Sequence, residues 1–184
     1  MAWTAANPTV IGNATKKTDY DKLWDNALFL HERRVVQVVQ DETVTAATGT
    51  TAIPYDDTIP QKTEGDEYLT RTITPAVATN ILKIDVQIPI SASAAGTLAV
   101  ALFKDAVDNA LNAIAKYVAN DSITVPQFLF LTHIMAAGTT SQITFKIRAG
   151  SSTGNIITVN GAAGDRKYGG VLTTLITIIE FGAV

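Results

Sequence analysis

Apolar and polar residues alternate along residues 83–90, where isoleucine or valine occupies every second position. This spacing is typical of an extended strand, because successive side chains of a strand point to opposite faces. We therefore expect Ile84, Val86, Ile88 and Ile90 to share one face and to point into a core. A turn-rich, acidic segment at residues 53–60 leads the chain into this part of the sheet.

From residue 35 onward, β-branched residues, threonines and glycines dominate, which favours strands over helices. Turn-type residues separate the predicted strands, and no helical stretch is long enough to cross between parallel neighbours. The pattern predicts an all-β fold, an antiparallel β-sandwich of the jelly-roll type. The predicted strands lie at residues 35–39, 43–45, 67–74, 80–90, 97–104, 113–118, 127–136, 142–149, 155–159 and 171–181.

One short helix is predicted ahead of the sheet, beginning at Thr18. Thr18 can cap the first backbone N–H groups, and Asp19 and Asp21 place negative charge at the positive end of the helix dipole. Arg33 and Arg34 suit the opposite end. A helix this apolar and this short needs a partner surface. Its apolar stripe consists of Tyr20, Leu23, Trp24, Ala27, Leu30 and His31, and Leu28 and Phe29 widen it.

The N-terminal residues 1–17 are small, polar and unpatterned, and they are too poor in apolar side chains to fold alone. We expect them to form an extended arm. A break in composition falls at Val35. The sequence therefore divides into an arm with a helix, residues 1–34, and a β-sandwich, residues 35–184.

Three predicted strands, at residues 98–103, 127–131 and 171–181, are apolar on both faces. A strand in a two-layer sandwich needs only one apolar face. The second face could be covered within the chain, by a loop or by the N-terminal helix. Alternatively, sister subunits cover it, since symmetric homo-oligomers commonly extend their cores in this way.

Composition and charge exclude several classes of protein. A chain of 184 residues with 47% hydrophobic content is long enough for one domain with a substantial core. Its 17 acidic and 14 basic residues give a net charge of -3, so the protein has no overall positive potential to attract nucleic-acid phosphates. The absence of cysteine excludes disulfides and thiolate chemistry. We expect neither a secretory signal peptide nor a membrane-spanning segment.

The candidate chemical sites all have a simpler structural explanation. Residues 150–154 match the nucleophile-elbow pattern around Ser152, but a strand rather than a helix follows, so we expect a flexible hairpin loop. His31 and His133 lack neighbours at metal-ligand spacing and are expected to be core or interface residues. The glycines of residues 161–167 lack the order of a phosphate loop, and Asn160 with the next glycine favours a turn.

An acidic group in the middle of the chain could form a calcium site or a glycosidase pair, but the calcium-loop spacing is absent. We favour a solvated turn, and we predict no cofactor, no metal and no enzymatic activity. The acidic residues concerned are Asp56, Asp57, Glu64, Asp66 and Glu67.

Several segments resemble a domain that recurs in tailed-bacteriophage fibre and minor structural proteins. Residues 53–65 carry the resemblance with the sequence Ile-Pro-Tyr-Asp-Asp-Thr-Ile-Pro-Gln-Lys-Thr-Glu-Gly, and residues 72–75, 101–105 and 166–170 continue it. The resemblance covers about residues 35–181, and residues 14–26 are similar to the helical lead-in that often precedes such domains. It implies a trimeric virion component with a jelly-roll, tumour-necrosis-factor-like head, and it implies no catalytic residue.

From the resemblance and the two-sided strands together we predict a homotrimer that joins other phage virion proteins through residues 1–34. The alternatives for the helix are packing under its own sandwich and a three-helix stalk. The predicted attachment residues are Trp3, Tyr20, Leu23, Trp24 and Phe29. The predicted trimer-interface residues are Phe128, Phe130, Leu172, Ile176 and Ile178.

Two function classes follow from the resemblance. In the first, the protein is a tail or baseplate fibre whose sandwich faces the host and contacts a surface receptor, either a glycan or a protein. In the second, it is a capsid decoration or head-fibre protein whose arm grips the shell. A fibre-borne depolymerase ranks third, because the chain lacks β-helix repeats and a persuasive acid pair.

Overall fold

The structure, a computed structural model, describes residues 17–32, 34–120 and 124–183, and for residues 29–32 it describes the backbone alone. The predicted helix is confirmed as α1, Lys17–Glu32. The Lys17 ammonium pairs with Asp21 at 3.0 Å, one helical turn away. The predicted arm, including Trp3, lies outside the described residues. No helix among the described residues is long and apolar enough to cross a membrane.

The rest of the described chain is a sandwich of two antiparallel sheets, as the sequence predicts. One sheet, which we call sheet I, has the strand order β1-β12-β4-β9-β2, with β7 on the other side of β4. The second sheet, sheet II, has the order β3-β8-β5-β6. The strands are β1 Val35–Thr43, β2 Ala47–Gly49, β3 Asp66–Ile73, β4 Ile81–Ala92, β5 Gly96–Lys104, β6 Asn112–Val118, β7 Gln127–Ala136, β8 Ile143–Ser151, β9 Ile157–Val159, β10 Gly161–Ala162, β11 Asp165–Arg166 and β12 Thr174–Phe181.

The strand order is that of a jelly roll. Strand β4 pairs with β12 over residues 81–87 and with β9 over residues 90–92, so β12 and β9 lie end to end beside it. Sheet I is therefore four strands wide. Among the eight long strands, sheet I contains the first, eighth, third and sixth, and sheet II contains the second, seventh, fourth and fifth. This alternation between sheets is the double Greek key of a jelly roll.

The register defines two ends of the sandwich. At the end that we call proximal, Val35 pairs with Phe181, and Phe181 pairs with Ile81. At the opposite, distal end, Thr43 pairs with Thr174. Strand β1 runs from one of these ends to the other with nine residues, so the two ends are roughly 27 Å apart.

The main core lies between the sheets, where Ile84, Ile88 and Ile90 of β4 are fully buried, as their spacing predicts. A second, smaller core lies on the outer face of sheet II, where Ile53 packs against Ala99, Ala101 and Phe103 of β5. Residues 52–65 form a closed surface loop over this face, because the Gly65 N–H donates to the Ala52 carbonyl at 3.0 Å. We call this segment the Ω-loop. The Ω-loop covers the second apolar face of β5. The two-sided apolar pattern of this strand is therefore explained by a loop of the same chain.

Two sequence expectations about loops are corrected. Residues 152–156 connect β8 of sheet II to β9 of sheet I, so they form a crossing between the sheets rather than a hairpin. The glycine-rich residues 161–170 were expected to be a loop, but they contain the paired strands β10 and β11, followed by a turn at Tyr168–Gly170 in which all three residues have positive φ. Strands of two residues have no periodicity that a sequence pattern could reveal.

Candidate interaction surfaces

The apolar stripe of α1 is exposed where the structure describes it. More than half of each side chain of Tyr20, Leu23 and Trp24 is accessible, with 71% for Trp24. By contrast Asn26, two residues after Trp24 and on the other side of the helix, is buried. A polar residue is thus covered while the aromatic stripe remains open. Phe29 belongs to α1, but its side chain lies outside the described residues.

The outer face of sheet I carries a second set of exposed apolar side chains. Phe128 and Phe130 of β7 point outward, with ring centroids 6.4 Å apart and planes inclined by 17°. Phe130 is 60% exposed. Ile134 lies on the same face of β7, and Val38 of β1 lies at the other edge of the sheet, and both are more than half exposed. Exposed apolar side chains that lie together on one face can mark a protein–protein contact.

A polar group interrupts the middle of this face. The Lys83 ammonium donates a short hydrogen bond to the Asp85 carboxylate, and the Thr132 hydroxyl donates to the same carboxylate at 2.7 Å. The backbone carbonyl of Thr132 in turn accepts from the Asn112 side chain at 2.9 Å, which ties β7 of sheet I to β6 of sheet II. The outer face therefore has apolar margins around a partly buried, hydrogen-bonded centre.

The structure separates the predicted interface residues into two groups. Leu172, Ile176 and Ile178 are buried within this chain, and the last two have no exposed surface at all. They belong to the main core or its margin, so we revise the part of β12 that could meet another subunit to the outward, half-buried Leu175 and Ile179. Phe128 and Phe130 do face outward, and their place in a trimer interface stays a prediction.

A long connection from β9 to β12 leaves sheet I between these two end-to-end strands, next to the distal ends of β1 and β12. Its base is Asn160, which has a positive φ of 58° and a fully buried side chain. The Asn160 amide donates to the carbonyls of Thr43 and Thr45 at 2.9 and 3.0 Å, and its side-chain oxygen accepts from the Thr174 hydroxyl at 2.8 Å. This side chain holds together the three chain segments that meet at the distal end. We call the segment above it, residues 161–171, the distal hairpin.

Open cavities flank these surfaces. A cavity of about 350 Å³ lies next to the tip of the distal hairpin, Ala163 and Gly164. Its other lining residues are Thr48, Ser93, Ile156 and Thr158. On the outer face of sheet II, the Ω-loop borders a cavity of about 390 Å³ next to the start of β6 and another of about 340 Å³ next to β8. The second of these contains Lys62, Lys146 and Arg148.

At the proximal end, Glu180 is a fully buried carboxylate in a cage of donors. It accepts hydrogen bonds from the Gln37 amide at 2.5 Å, the Asn80 amide at 2.6 Å and the backbone N–H of Ala76 at 2.9 Å. Burial by itself raises the pKa of Glu180, but these hydrogen bonds to the charged form outweigh it and hold the pKa below its ordinary value. Sequence reasoning missed this site. The signal that could have indicated it is the single charged residue near the end of an otherwise apolar strand.

The predicted chemical candidates are placed as structural residues. Asp56 accepts from the Thr58 hydroxyl at 2.6 Å and from its backbone N–H at 2.9 Å, and these bonds lower the pKa of Asp56 in an exposed turn. Asp66 binds Thr51, and Glu67 lies near the cations of Lys146 and Arg148. These acidic residues therefore serve turns and strand contacts.

His133 is half-buried on the core side of β7, and burial lowers its pKa. The side chain of His31 lies outside the described residues. Among the residues that the structure describes, no group of three or more His, Cys, Asp or Glu side chains is placed to hold a metal ion. Ser152 follows the end of β8 and its N–H donates to the Thr97 carbonyl at 2.8 Å, so its loop is part of the sheet connection.

No family model and no curated protein matches the chain. Among solved structures it is similar to the sugar-binding C-terminal domain of EclA, with 21% identity over 67% of this chain and 79% of that one, and a TM-score of 0.38. It is also similar to VP2 of infectious bursal disease virus (12% identity, 82% of this chain, 38% of that chain, TM-score 0.34). A third similar structure is the enzymatically active domain of bacteriophage CBA120 tailspike protein 4 (15% identity, 72% of this chain, 20% of that chain, TM-score 0.26). The chain thus spans less than two fifths of the last two, and all three likenesses are of fold alone.

Proposed function

We propose that this chain is a structural protein of a bacteriophage virion, a tail or baseplate fibre that forms a homotrimer and turns its jelly-roll head toward the host. The family resemblance of residues 53–65 and 166–170 supports this role. The observation that carries it is the separation of surfaces: apolar side chains stay exposed on α1 and on the outer face of sheet I, whereas the distal hairpin presents the charged side chains of residues 165–167 beside the exposed Tyr168 and Val171. Apolar surfaces suit permanent assembly, and polar ones suit a reversible contact.

In this proposal, each apolar surface has one partner. The outer face of sheet I packs against the other two copies, with Phe128 and Phe130 as buried anchors, because large aromatic side chains dominate interface energetics. The stripe of Tyr20, Leu23 and Trp24 binds another virion protein, together with Trp3 and Phe29. The head carries no catalytic role, and the protein works by attachment alone.

The second candidate is a capsid decoration or head-fibre protein, and the exposed stripe of α1 would serve it equally well because a shell is also a protein surface. Immunogold labelling of intact virions with antibody against this chain separates the two positions. We expect label at the tail or baseplate. Label over the capsid would reject the fibre and favour decoration, and an absence of label from purified virions would reject both.

A further inference from the structure

We propose that the distal hairpin is the receptor-contacting element of the head, and that it takes an acidic saccharide through Tyr168, Arg166 and Lys167. The inference rests on the proposed function and gives it a site and a class of ligand. In this arrangement a sugar ring stacks on the Tyr168 ring, and the acidic group of the sugar lies against the two cations.

Tyr168 is held in an unfavourable backbone conformation that leaves its ring in solvent. Its φ is 50°, and Gly169 and Gly170 follow with φ of 68° and 91°. A bulky side chain in this left-handed region costs about 1–3 kcal/mol and is uncommon away from functional sites. The ring is 77% exposed, and among the described residues it has no aromatic partner. The ring is therefore free to stack against a ligand.

The hairpin is fixed to the sandwich. Asn160 is hydrogen-bonded on both ends of its amide, and the Gly164 N–H donates to the Thr158 hydroxyl at 3.0 Å. At Gly161 the strands approach so closely that a Cβ would lie 2.1 Å from the Asp165 carbonyl oxygen. A fixed loop loses little entropy on binding, which favours a ligand that makes few contacts.

The two cations that follow the tip of the hairpin suit an anion, although the net charge of the whole protein is -3. The Arg166 guanidinium lies along the turn that carries Tyr168, since a Cβ on Gly170 would be 3.3 Å from Arg166 Nη1. Neither Arg166 nor Lys167 forms an ion pair with any residue that the structure describes, and Asp165 is the one acid of the hairpin. A planar guanidinium can bind a carboxylate through two parallel hydrogen bonds.

The location agrees with this role. The base of the hairpin lies beside the distal ends of β1 and β12, away from Val35, where the chain enters the sandwich from α1. The cavity of about 350 Å³ at its tip offers the hydroxyl groups of Thr48 and Ser93 to a neighbouring sugar unit. Three copies in a trimer would multiply weak single contacts into a stable attachment.

The test measures binding of the fluorescently labelled full chain to cells of the bacterium that the phage infects. The variants are Tyr168→Ala and the double change Arg166→Ala with Lys167→Ala. Matched controls are Tyr117→Ala, which removes another exposed tyrosine, and Lys116→Ala, which removes a lysine on β6 of sheet II. Unchanged melting temperatures verify that each variant folds.

We expect binding to fall at least tenfold in both hairpin variants and to stay unchanged in both controls. Polyglucuronate should compete with the cells, whereas the neutral polysaccharide dextran should not. Full binding by Tyr168→Ala would overturn the assignment of the site while the attachment function stands. Equal competition by dextran would overturn the acidic class of ligand. Failure of the unmodified chain to bind the cells would reject the host-facing role itself, and with it this inference.

Discussion

At the scale of single residues, buried polar side chains join segments that are distant in the sequence. Glu180 connects β12 to Gln37 of β1 and to Asn80 ahead of β4. Asn160 joins the ends of β1, β9 and β12 at the opposite end of the sandwich. Each polar atom is satisfied, and removing one partner would leave the others buried without a hydrogen bond, which costs about 1–3 kcal/mol. These residues determine how the two ends of the sandwich are closed.

Glu180→Gln should reduce stability at neutral pH by about 1–3 kcal/mol, because one carboxylate oxygen becomes an amide that faces the Gln37 amide. Since the pKa of Glu180 is lowered in the folded protein, its contribution is fully present above the unfolded pKa of about 4.3 and is lost as pH falls through the folded value. The variant should therefore lose less stability between pH 7 and pH 3 than the unmodified chain.

Urea unfolding at both pH values, at one protein concentration, measures this difference. Asp57→Asn in the Ω-loop is the control, since Asp57 is exposed and a change there should alter stability little. Equal acid sensitivity in Glu180→Gln and the unmodified chain would contradict the role assigned to the Glu180 cage.

At the scale of secondary-structure elements, the sequence predicts strands well where polarity changes abruptly at their ends. Strand β7 has the predicted bounds, 127–136, and the inward residues of β4 are those that alternation indicates. Residues 171–173 were predicted as strand because Val171 and Leu172 are apolar, yet β12 begins at Thr174 after the distal hairpin. A local pattern reports which side chains are apolar, but the order of strands depends on contacts between distant segments.

The candidate surfaces were less predictable than the strands. The two-sided pattern of β5 has the same appearance as that of β7, yet the Ω-loop covers β5 and leaves β7 open. Nothing near either strand distinguishes them, because the cover comes from Ile53, far away in the chain. The left-handed turn at Tyr168 was equally hard to predict. Its one signal in the sequence is the pair of glycines that follows, Gly169 and Gly170, which also have positive φ.

Gly150→Ala tests the seating of the Ω-loop on sheet II. A Cβ at this position would lie 2.4 Å from the Thr51 carbonyl oxygen and 3.1 Å from the Ile53 nitrogen, so the loop backbone must move away. We expect the free energy of unfolding to fall by about 1–3 kcal/mol, as it does at other overpacked sites. At the control position Gly96, a Cβ would meet its nearest atom, Asn155 Nδ2, at 3.4 Å, so Gly96→Ala should be tolerated better. Thermal unfolding of both variants measures the difference, and equal melting temperatures would show that the loop adapts freely.

At the scale of the whole molecule, the outer face of sheet I is the surface on which we expect three copies to meet. Phe130→Asp should place a charge in a dry interface and disperse the trimer while the sandwich stays folded, because Phe130 is exposed in the single chain. Tyr117→Asp is the matched control, since Tyr117 is an exposed aromatic residue of sheet II.

Light scattering with size-exclusion chromatography reports the mass of each species, and circular dichroism reports folding. We expect trimers for the unmodified chain and for Tyr117→Asp. A monomer of the unmodified chain at micromolar concentration would refute the homotrimer. A trimer of Phe130→Asp would place the interface on another surface.

Deletion of residues 1–34 should leave a head that still melts cooperatively as a trimer but no longer enters virions. The reason is that the described apolar stripe of α1 faces away from the covered side of the helix, so the sandwich should lose little support. Incorporation into particles, measured by immunoblot of purified virions, checks the attachment role. Misfolding or monomers of the shortened chain would show instead that α1 belongs to the head or to a three-helix stalk.

The pairing of β1 with β12 also sets the order of events during synthesis. Thr43 finds its partner Thr174 only after roughly 130 further residues have been made, which takes on the order of ten seconds at ribosomal speed. During that interval the valines of β1 have no strand beside them, and Gln40, Asp41 and Glu42, which directly follow them, act as gatekeepers against aggregation. Sheet I is thus complete only after residues 174–181 have left the ribosome, so the proposed association of copies through its outer face would have to follow the synthesis of β12.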